Sequence, residues 1–307
     1  MTSTTAGSNP LRQQSSRHGE RATMVFIGGA ASLSVLITLG IVLALLVPAI
    51  GFFGEVSIVD FLTGTRWAPN FGDASFGVLP LVTGTFWTTV IGLAIAVPFG
   101  LGAAVYLSEY AAHGVRRVLK PVLEVLAGVP SVVYGYFALT FVAPQVLNNF
   151  LSIETGTYSV LSAGLVLGVL IIPTVASLSE DAMSAVPQDL RQGSFALGAN
   201  KMRTTLRVVF PAAISGIAAS IVLAVSRAVG ETMIVALAAG TRAQMVTNVT
   251  DPGQTMTGYI AQTATGESTP GTVTYNALFA VGLLLFAITM VINIISIRLV
   301  RRFREAY

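Results

Sequence analysis

Long stretches without a charged side chain alternate with short polar stretches along this chain. A helix of about 20 apolar residues crosses the roughly 30 Å hydrocarbon core of a membrane, so each stretch predicts one transmembrane helix. Backbone polar groups in lipid must be bonded internally, which favours helices, and the alternating pattern of a membrane barrel is absent. Six spans are predicted, with 208–240 taken as one span that two charged residues interrupt. The charge-free stretches are 22–54, 74–108, 125–153, 155–179, 208–226 (resuming at 232–241) and 268–297.

Composition agrees with a membrane protein. Only 10% of the 307 residues are charged and 53% are hydrophobic, whereas a soluble domain carries roughly a quarter charged residues. Residues 1–21 are polar, with no apolar cluster to bury, and predict a disordered tail ahead of a membrane domain over 22–305. The apolar run Met24–Val47 is longer than that of a signal peptide and lacks a cleavage site, so we expect a retained helix.

The basic residues are distributed unevenly between the two sides of the predicted spans. Fourteen of the 17 arginines and lysines lie in the tail, between spans two and three, between spans four and five, or after span six. Arg66 and Arg242 lie on the other side, and Arg227 lies within span five. The positive-inside rule therefore predicts that both termini lie in the cytoplasm. The pI near 9.4 reflects this orientation and not nucleic-acid binding.

Missing residues argue against several classes of activity. The chain has no cysteine, which excludes disulfide bonds and thiolate metal sites, and His18 and His113 are isolated in polar stretches, so we expect no metal site. Lys120 and Lys201 are the only lysines, and neither follows glycine as in a phosphate-binding loop. HExxH and GxSxG motifs are also absent. We expect no catalytic activity and no cofactor on this chain, so that any ATP hydrolysis would need another chain.

Two further patterns concern the loops and the faces of the spans. Residues 52–73 form a loop on the side away from the basic residues, and we expect its phenylalanines and Trp67 to lie at the membrane interface. Hydroxyls at Thr85, Thr88 and Thr89 fall at helical spacing on span two. They either line a pathway or, more commonly for such residues, bond to their own backbone or to a neighbouring helix.

The segment between spans four and five predicts a short helix over about 187–201. Pro187 suits a first helical position, and Asp189 lies in the first turn, where negative charge is favoured. Gly198 suits the left-handed conformation that ends a helix. On these grounds alone the helix is either a connector on the lipid headgroups or a surface presented to a partner. Three residues at positions i, i+4 and i+7 form one compact face, namely Leu190, Ser194 and Leu197.

Arg227 and Glu231 are costly to place in an apolar span. A buried arginine stays protonated, and its cost at the membrane centre is at least about 2.5–3.5 kcal/mol. Glu231 follows one helical turn later, so we expect an ion pair with Arg227 on one helix face. The residues leave two interpretations open. Either the pair fixes span five against its neighbours, or Arg227 binds a travelling oxyanion and Glu231 holds the guanidinium when the site is empty.

The segment between spans four and five resembles the EAA signature of bacterial ABC importer permeases, in which Glu-Ala-Ala is followed by three residues, Gly, nine residues and Ile-x-Leu-Pro. Gln192 and Gly193 depart from Glu and Ala, but the spacing agrees throughout. The resemblance implies that this segment is the coupling helix that docks on the ATPase, with Gln192, Gly193, Ser194 and Gly198 as coupling residues. The matching positions are Gln192-Gly193-Ser194, Gly198 and Val208-Val209-Phe210-Pro211.

Two more segments narrow the resemblance to the permeases of phosphate-specific importers. LAGVPSVVYGYFAL over 126–139 is similar to their third-span signature, and SRAVGETMIVAL over 226–237 is similar to their fifth-span signature. The continuation Gly-Glu-Thr-Met, together with FLTGTRWAP over 61–69, is closer to the PstC type than to the PstA type. The resemblance covers about residues 24–305.

The resemblance implies an all-α membrane protein with six transmembrane helices and the type I, MetI-like permease fold. It implies an ATP-driven phosphate importer that works by alternating access, with Arg227 and Glu231 in the substrate pathway. The implied partners are a PstA-type permease, a PstB-type ATPase dimer that binds ATP and Mg²⁺, a PstS-type binding protein and membrane lipids. Two alternatives stay open: an ion channel or secondary anion carrier, and a membrane subunit that senses phosphate without conducting it.

Overall fold

The structure is a computed structural model that describes residues 17–70, 72–266 and 269–302. Contacts divide the chain into two units, residues 1–47 and residues 48–307. In the first unit, the described residues belong to one helix, α1 (Arg17–Glu55), which is apolar over most of its length. Residues 1–16 of the predicted tail 1–21 lie outside the described residues. From Arg17 onward the chain is helical.

Among the described residues of the second unit, the regular structure is helical apart from one small sheet, so the prediction of an all-α protein is confirmed. Its two strands, β1 and β2, pair antiparallel with Trp67 opposite Phe76. Three of its helices continue through π-helical segments, namely Tyr106–Tyr110, Ala138–Phe150 and Thr205–Val209. The described elements after α1 are α2 (Ile58–Thr63), β1 (Trp67–Ala68), β2 (Ser75–Phe76), α3 (Leu79–Val105), α4 (His113–Ala127), α5 (Ser131–Phe137), α6 (Val160–Ser184), α7 (Gln188–Ala196), α8 (Lys201–Thr204), α9 (Phe210–Ala212), α10 (Ile214–Gly230), α11 (Met233–Ala238), α12 (Met256–Thr265) and α13 (Val273–Arg302).

Six membrane spans are present in the described residues if each strongly bent pair of helices counts as one span. In two pairs, the helices are long and apolar enough to cross a membrane only when both are taken together. These pairs are His113–Ala127 with Ser131–Phe150, bent by 86°, and Lys201–Ala212 with Ile214–Gly230, bent by 70°. The first bend lies at Gly128-Val129-Pro130, because proline disfavours helix in the residue before it and cannot donate a backbone hydrogen bond. Four helices are long and apolar enough alone: Glu20–Glu55, Leu79–Tyr110, Val160–Ser184 and Val273–Arg298.

Glycines bring α3 and α6 into close contact. A Cβ atom at Gly100 of α3 would lie 2.7 Å from Cβ of Val175, and one at Gly164 of α6 would lie 2.7 Å from Cβ of Ile91. Small residues drive such packing in membranes, because lipid gives no hydrophobic force between helices. The close backbone approach makes α3 and α6 one tightly packed pair, and α6 is the most buried of the four unbent spans.

The helix α10 packs antiparallel against α6 through polar and small residues. Ser179 of α6 and Ser220 of α10 are both buried, and their Oγ atoms are 2.8 Å apart. Nearer the C-terminal end of α6, a Cβ atom at Gly216 would collide with Cβ of Ala182. Because backbone and hydroxyl groups approach this closely, α6 is fixed on both sides, by α3 and by α10.

The predicted interfacial loop 52–73 forms part of a buried aromatic cluster instead. Phe52 is fully buried and Phe61 and Trp67 are nearly so, and their rings meet edge to face. Trp67 also packs edge to face on Tyr259 of α12, with ring centroids 4.9 Å apart. The expectation that Trp67 lies at the membrane interface is wrong, because α2 and the β1–β2 pair fold this segment over the ends of the helices.

The α3–α6 contact generates a stability prediction with a matched control on the same helix. Gly100→Val adds a side chain where Val175 leaves no space, and we expect a loss of roughly 1–3 kcal/mol from overpacking. Gly102→Val is the control, since a Cβ atom at Gly102 meets nothing within 4 Å. The measurement is the thermal unfolding midpoint of each variant in detergent. Equal midpoints for the two variants would contradict the packing described here.

Candidate functional site

Span five breaks at Glu231, one of the two charged residues that interrupt its apolar pattern. The helix α10 ends at Gly230, Glu231 is extended with φ −65° and ψ 131°, and α11 begins at Met233. The Glu231 carboxylate turns onto the new helix, where its Oε1 accepts the backbone N–H groups of Met233 at 3.1 Å and Ile234 at 3.3 Å. Glu231 therefore satisfies two donors that the start of a helix leaves without partners.

Arg227 lies in the last turn of α10 and bonds to a neutral partner. Its Nη1 donates to Thr174 Oγ1 of α6 at 2.8 Å, and the residue is half-buried. The ion pairs among the described residues do not include Arg227 or Glu231. The predicted ion pair between them is wrong in this conformation, because the spacing i, i+4 brings side chains together only along an unbroken helix and this helix ends between them.

Two other segments pack around the break. Gly135 of α5 lies against α11, where a Cβ atom would come within 3.2 Å of Ile234 Cα. On the other side, Thr257 Oγ1 of α12 donates to the Glu231 carbonyl at 2.7 Å. The segments 126–139 and 226–237, both singled out in the sequence, therefore meet at the break in span five.

The three threonines of α3 do not form an open polar face. Thr85 Oγ1 donates to the Leu81 carbonyl at 2.9 Å and accepts the N–H of Met256 at 3.0 Å, while Thr88 donates to the Gly84 carbonyl at 2.9 Å. Thr89 is buried, and its Oγ1 has no partner among the described residues. The first two hydroxyls follow the more common of the two expectations, which is bonding to their own helix.

The segment predicted as a coupling helix over 187–201 contains a shorter helix, α7. Gly198 has the predicted left-handed backbone conformation, with φ +80°. It ends the short segment that starts with α7. Pro187 precedes α7 instead of lying in its first turn. Leu197 lies beyond the last helical residue and is 91% exposed, so the expectation that it shares a compact face with Leu190 and Ser194 is wrong.

The two faces of α7 differ in what they contact. Ser194 faces the protein, and its Oγ lies 2.9 Å from Thr204 Oγ1. Gln192 and Gly193 are exposed, and a Cβ atom at Gly193 would meet nothing within 4 Å. The exposed face of α7 and the apolar side chain of Leu197 just beyond the helix are free to meet another protein chain.

Arg191, which the sequence analysis did not single out, anchors α7 to the rest of the protein. Its guanidinium donates to the carbonyls of Met183 and Val186 at the end of α6, and to Glu109 Oε1 at 3.1 Å. Both side chains of the ion pair are more than nine-tenths buried. Because arginine satisfies the last carbonyls of a helix and complements its negative end, α7 is tied to α6 and to the segment that follows α3.

A second group of charges joins α4 to the same end of α6. Glu180 is fully buried, and its carboxylate accepts from Arg116 and, at 2.8 Å, from Lys120. Lys120 also forms an ion pair with Asp181, which lies on the exposed side of this group of charges. The sequence carries a signal for this network, because Arg116 and Lys120 lie four residues apart and therefore on one face of α4.

Comparison with known proteins identifies the family of the chain. Residues 96–305 match the family described as binding-protein-dependent transport system inner membrane component. The chain belongs to this family. It is 38% identical over 246 residues to the probable ABC transporter permease protein YqgH of Bacillus subtilis (strain 168), a match that covers 80% of this chain and 77% of that protein. It is 32% identical over 288 residues to the phosphate transport system permease protein PstC of Mesorhizobium japonicum (strain LMG 29417 / CECT 9101 / MAFF 303099), which covers 87% and 86%.

A solved structure supports the fold of the permease. The crystal structure of a bacterial ABC transporter involved in the import of the acidic polysaccharide alginate aligns with a TM-score of 0.61 at 16% identity, covering 94% of this chain and all of that chain. At this identity the likeness shows the fold alone. The predicted importer permease fold and the resemblance to this family are confirmed, and the chain is a multi-pass permease of the inner membrane.

The anchoring of α7 generates a prediction about local stability. Arg191→Gln leaves Glu109 buried without its cation and leaves two carbonyls at the end of α6 short of a donor, which we expect to cost roughly 3 kcal/mol. Hydrogen exchange of the backbone amides in 188–200 is therefore expected to accelerate. Arg203→Gln is the control, because Arg203 is exposed and its side chain has no ion pair in the described part of the chain. Unchanged exchange in the Arg191 variant would show that α7 is held by other contacts.

Proposed function

We propose that this chain is a permease subunit of an ATP-driven importer of inorganic phosphate and that Arg227 contacts the anion on its way through the membrane. The proposal is supported by the family of the chain and by relatives that are named phosphate transport system permease proteins. The permease itself binds no cofactor, and ATP with Mg²⁺ is bound by a separate ATPase.

The observation that carries the proposal is the state of the Arg227 side chain. It is a permanent cation in a broken membrane span, and a threonine hydroxyl is its hydrogen-bond partner. A guanidinium in this position must face protein, water or a substrate, since its exposure to lipid is costly. A hydroxyl leaves the positive charge uncompensated, and guanidinium groups bind phosphate oxygens with paired hydrogen bonds.

Glu231 contributes to the same site by shaping the backbone. Its carboxylate holds the start of α11, so the break in span five is maintained next to Arg227. Broken helices near the middle of a membrane are typical of substrate sites in transporters, where unwound backbone borders a cavity. Glu231 also places a negative charge near the pathway, which weakens anion binding enough for release.

The proposed mechanism is alternating access driven from α7. The positive-inside rule places α7 and both termini in the cytoplasm. ATP-driven closure of the ATPase dimer then displaces α7, and Arg191 transmits the displacement to α6 and α3. Arg227 donates a hydrogen bond to Thr174, which lies further along α6 from the contacts with Arg191. Movement of α6 therefore changes the surroundings of the proposed anion site.

The proposed complex contains three other kinds of chain. A homologous permease of the PstA type completes the pathway, an ATPase dimer of the PstB type lies beneath α7, and a binding protein of the PstS type delivers phosphate from outside. The exposed face of α7 favours this complex over an ion channel or a secondary carrier, since neither needs a docking helix for an ATPase. A sensor that does not conduct is separated from the importer by the uptake measurement below.

Removal of the Arg227 charge tests the proposed site. We expect Arg227→Gln to lower ATP-dependent phosphate uptake by at least about tenfold, because charge-assisted hydrogen bonds to the anion are lost. The measurement is uptake by the reconstituted complex, with assembly confirmed by co-purification. Arg298→Gln, which removes an exposed arginine near the chain end, should transport normally. Normal uptake by the Arg227 variant would remove this residue from the mechanism, and loss of assembly would identify it as structural.

The docking surface on α7 is tested at Leu197. Leu197→Glu places a charge on an apolar side chain that is 91% exposed, and it leaves the contacts inside the permease unchanged. We expect co-purification of the ATPase to fall by at least about tenfold, as for truncation of an interface anchor. Leu197→Met, which keeps an apolar side chain, is the matched control. Full ATPase binding by the glutamate variant would place the docking surface elsewhere.

A further inference from the structure

A large cavity lies at the end of the second unit opposite to α7. Its volume is about 880 Å³, and it is bordered by β1, by the segment after α11, by α12 and by Gly266, Thr269, Thr272 and Thr274. The position follows from α6, because the segment after α11 bonds to the start of this helix through the Asp251 carbonyl and the Val160 N–H, whereas α7 follows its end. A helix of 25 residues is roughly 37 Å long, which separates the cavity from α7.

The described lining residues of the cavity carry one positive charge and no negative charge. Arg242 is exposed and is the one charged residue among the described lining residues, so no carboxylate from them faces it. The ion pairs and side-chain hydrogen bonds found in the described chain do not involve its guanidinium. The remaining polar lining consists of threonines, an asparagine and two glutamines, which are neutral. A cavity with this balance favours an anion over a cation.

One buried donor on a lining residue lacks a partner. Trp67 Nε1 is inaccessible to solvent and has no hydrogen-bond partner in the described structure, although Trp67 lines the cavity. Burial raises the pKa of Tyr259 to about 12, against a smaller lowering by a hydrogen bond with the Thr263 side chain, so this hydroxyl stays protonated. Buried donors without partners are rare because each costs about 1–3 kcal/mol, and Trp67 Nε1 gains a partner in a ligand only when its ring turns toward the cavity.

The cavity is connected to the break in span five through α12. Thr257 near the start of α12 bonds to the Glu231 carbonyl, and Tyr259 and Gln262 of the same helix line the cavity. Gln262 Oε1 accepts from Gln254 Nε2 at 2.7 Å, which leaves the amide of Gln262 free to donate to a ligand. The helix α12 therefore contacts both the cavity and the break at Glu231.

We propose that this cavity is a receiving site for the transported oxyanion, in which Arg242 binds the anion before it passes Glu231 to Arg227. This inference rests on the proposed function. The volume is much larger than a single phosphate ion, so the site holds the anion with part of its hydration shell. Weak binding of this kind suits a pathway, since an ion that is held tightly is not released onward.

The transport experiment uses the complete importer in proteoliposomes with phosphate-loaded binding protein. We expect Arg242→Gln to lower the maximal uptake rate by about tenfold, as for loss of a charge-assisted hydrogen bond, without changing the concentration of binding protein that gives half the maximal rate. Arg242→Lys keeps the charge and should retain most of the rate. Arg66→Gln is the matched control, because Arg66 lies next to Trp67 and is exposed in a pair with Asp73, but does not line the cavity.

The possible outcomes separate this inference from the proposed function. An Arg242→Gln rate equal to that of Arg66→Gln overturns the receiving site while leaving the importer intact. A change only in the half-saturating concentration of binding protein also overturns it and assigns the cavity to protein docking. Absence of ATP-dependent phosphate uptake by the unaltered complex contradicts the proposed function itself.

Occupancy is tested without transport by the fluorescence of Trp67. Trp67 and Trp87 are the two tryptophans of the chain, so Trp87→Phe leaves Trp67 as the single reporter. Inorganic phosphate is titrated into the full chain in detergent, at an ionic strength held constant with chloride. We expect a saturable change in Trp67 emission that is at least about tenfold weaker in affinity after Arg242→Gln. Absence of a saturable change, or an equal response in both proteins, overturns the inference.

Discussion

The hydrogen bond from Arg227 to Thr174 joins the charged residue of span five to α6, and the other functional features depend on α6 as well. Along its length α6 contacts α3 through glycines and α10 through Ser179 and Ala182. At and just beyond its C-terminal end, carbonyls of Met183 and Val186 accept hydrogen bonds from Arg191 of α7. One closely packed helix therefore connects the surface available to an ATPase with the guanidinium proposed to meet the anion. Close packing matters for this connection, because densely packed helices transmit displacement instead of absorbing it.

The charges of this permease fall into two groups that differ in how they are compensated. Glu180 and the pair of Glu109 with Arg191 are buried, and opposite charges and carbonyl groups surround them. Loss of one partner from such a group leaves a buried charge unpaired, which explains their structural role. Arg227 is half-buried and bonded to a hydroxyl, and the nearby carboxylate of Glu231 is used for backbone N–H groups. The difference supports a structural role for the first group and an anion-binding role for Arg227.

The sequence was sufficient for features that depend on local chemistry. Charge-free stretches located the spans, and the left-handed turn at Gly198 followed from its position after a helix. Features decided by distant segments were not accessible. The break at Glu231 is stabilised by Thr257, which is 26 residues away, and by Gly135 of α5, so an unbroken helix and an ion pair were expected there. Trp67 is buried by Tyr259 from another part of the chain. Gly230 directly before Glu231-Thr232 was a usable sign of a helix end, since glycine favours such positions.

The neutral partner of Arg227 also bears on how the anion site is emptied and refilled. A hydrogen bond between a hydroxyl and a guanidinium is worth about 1.5–3 kcal/mol at most, whereas removal of one partner from a buried ion pair costs about 3–5 kcal/mol. An anion can therefore displace Thr174 at modest cost, which a carboxylate partner would prevent. In the proposed mechanism, movement of α6 withdraws or returns the hydroxyl, because Thr174 lies on the helix that Arg191 ties to α7. The same displacement of α7 would then change the competition for the guanidinium, which would couple the occupancy of the proposed site to the state of the proposed ATPase.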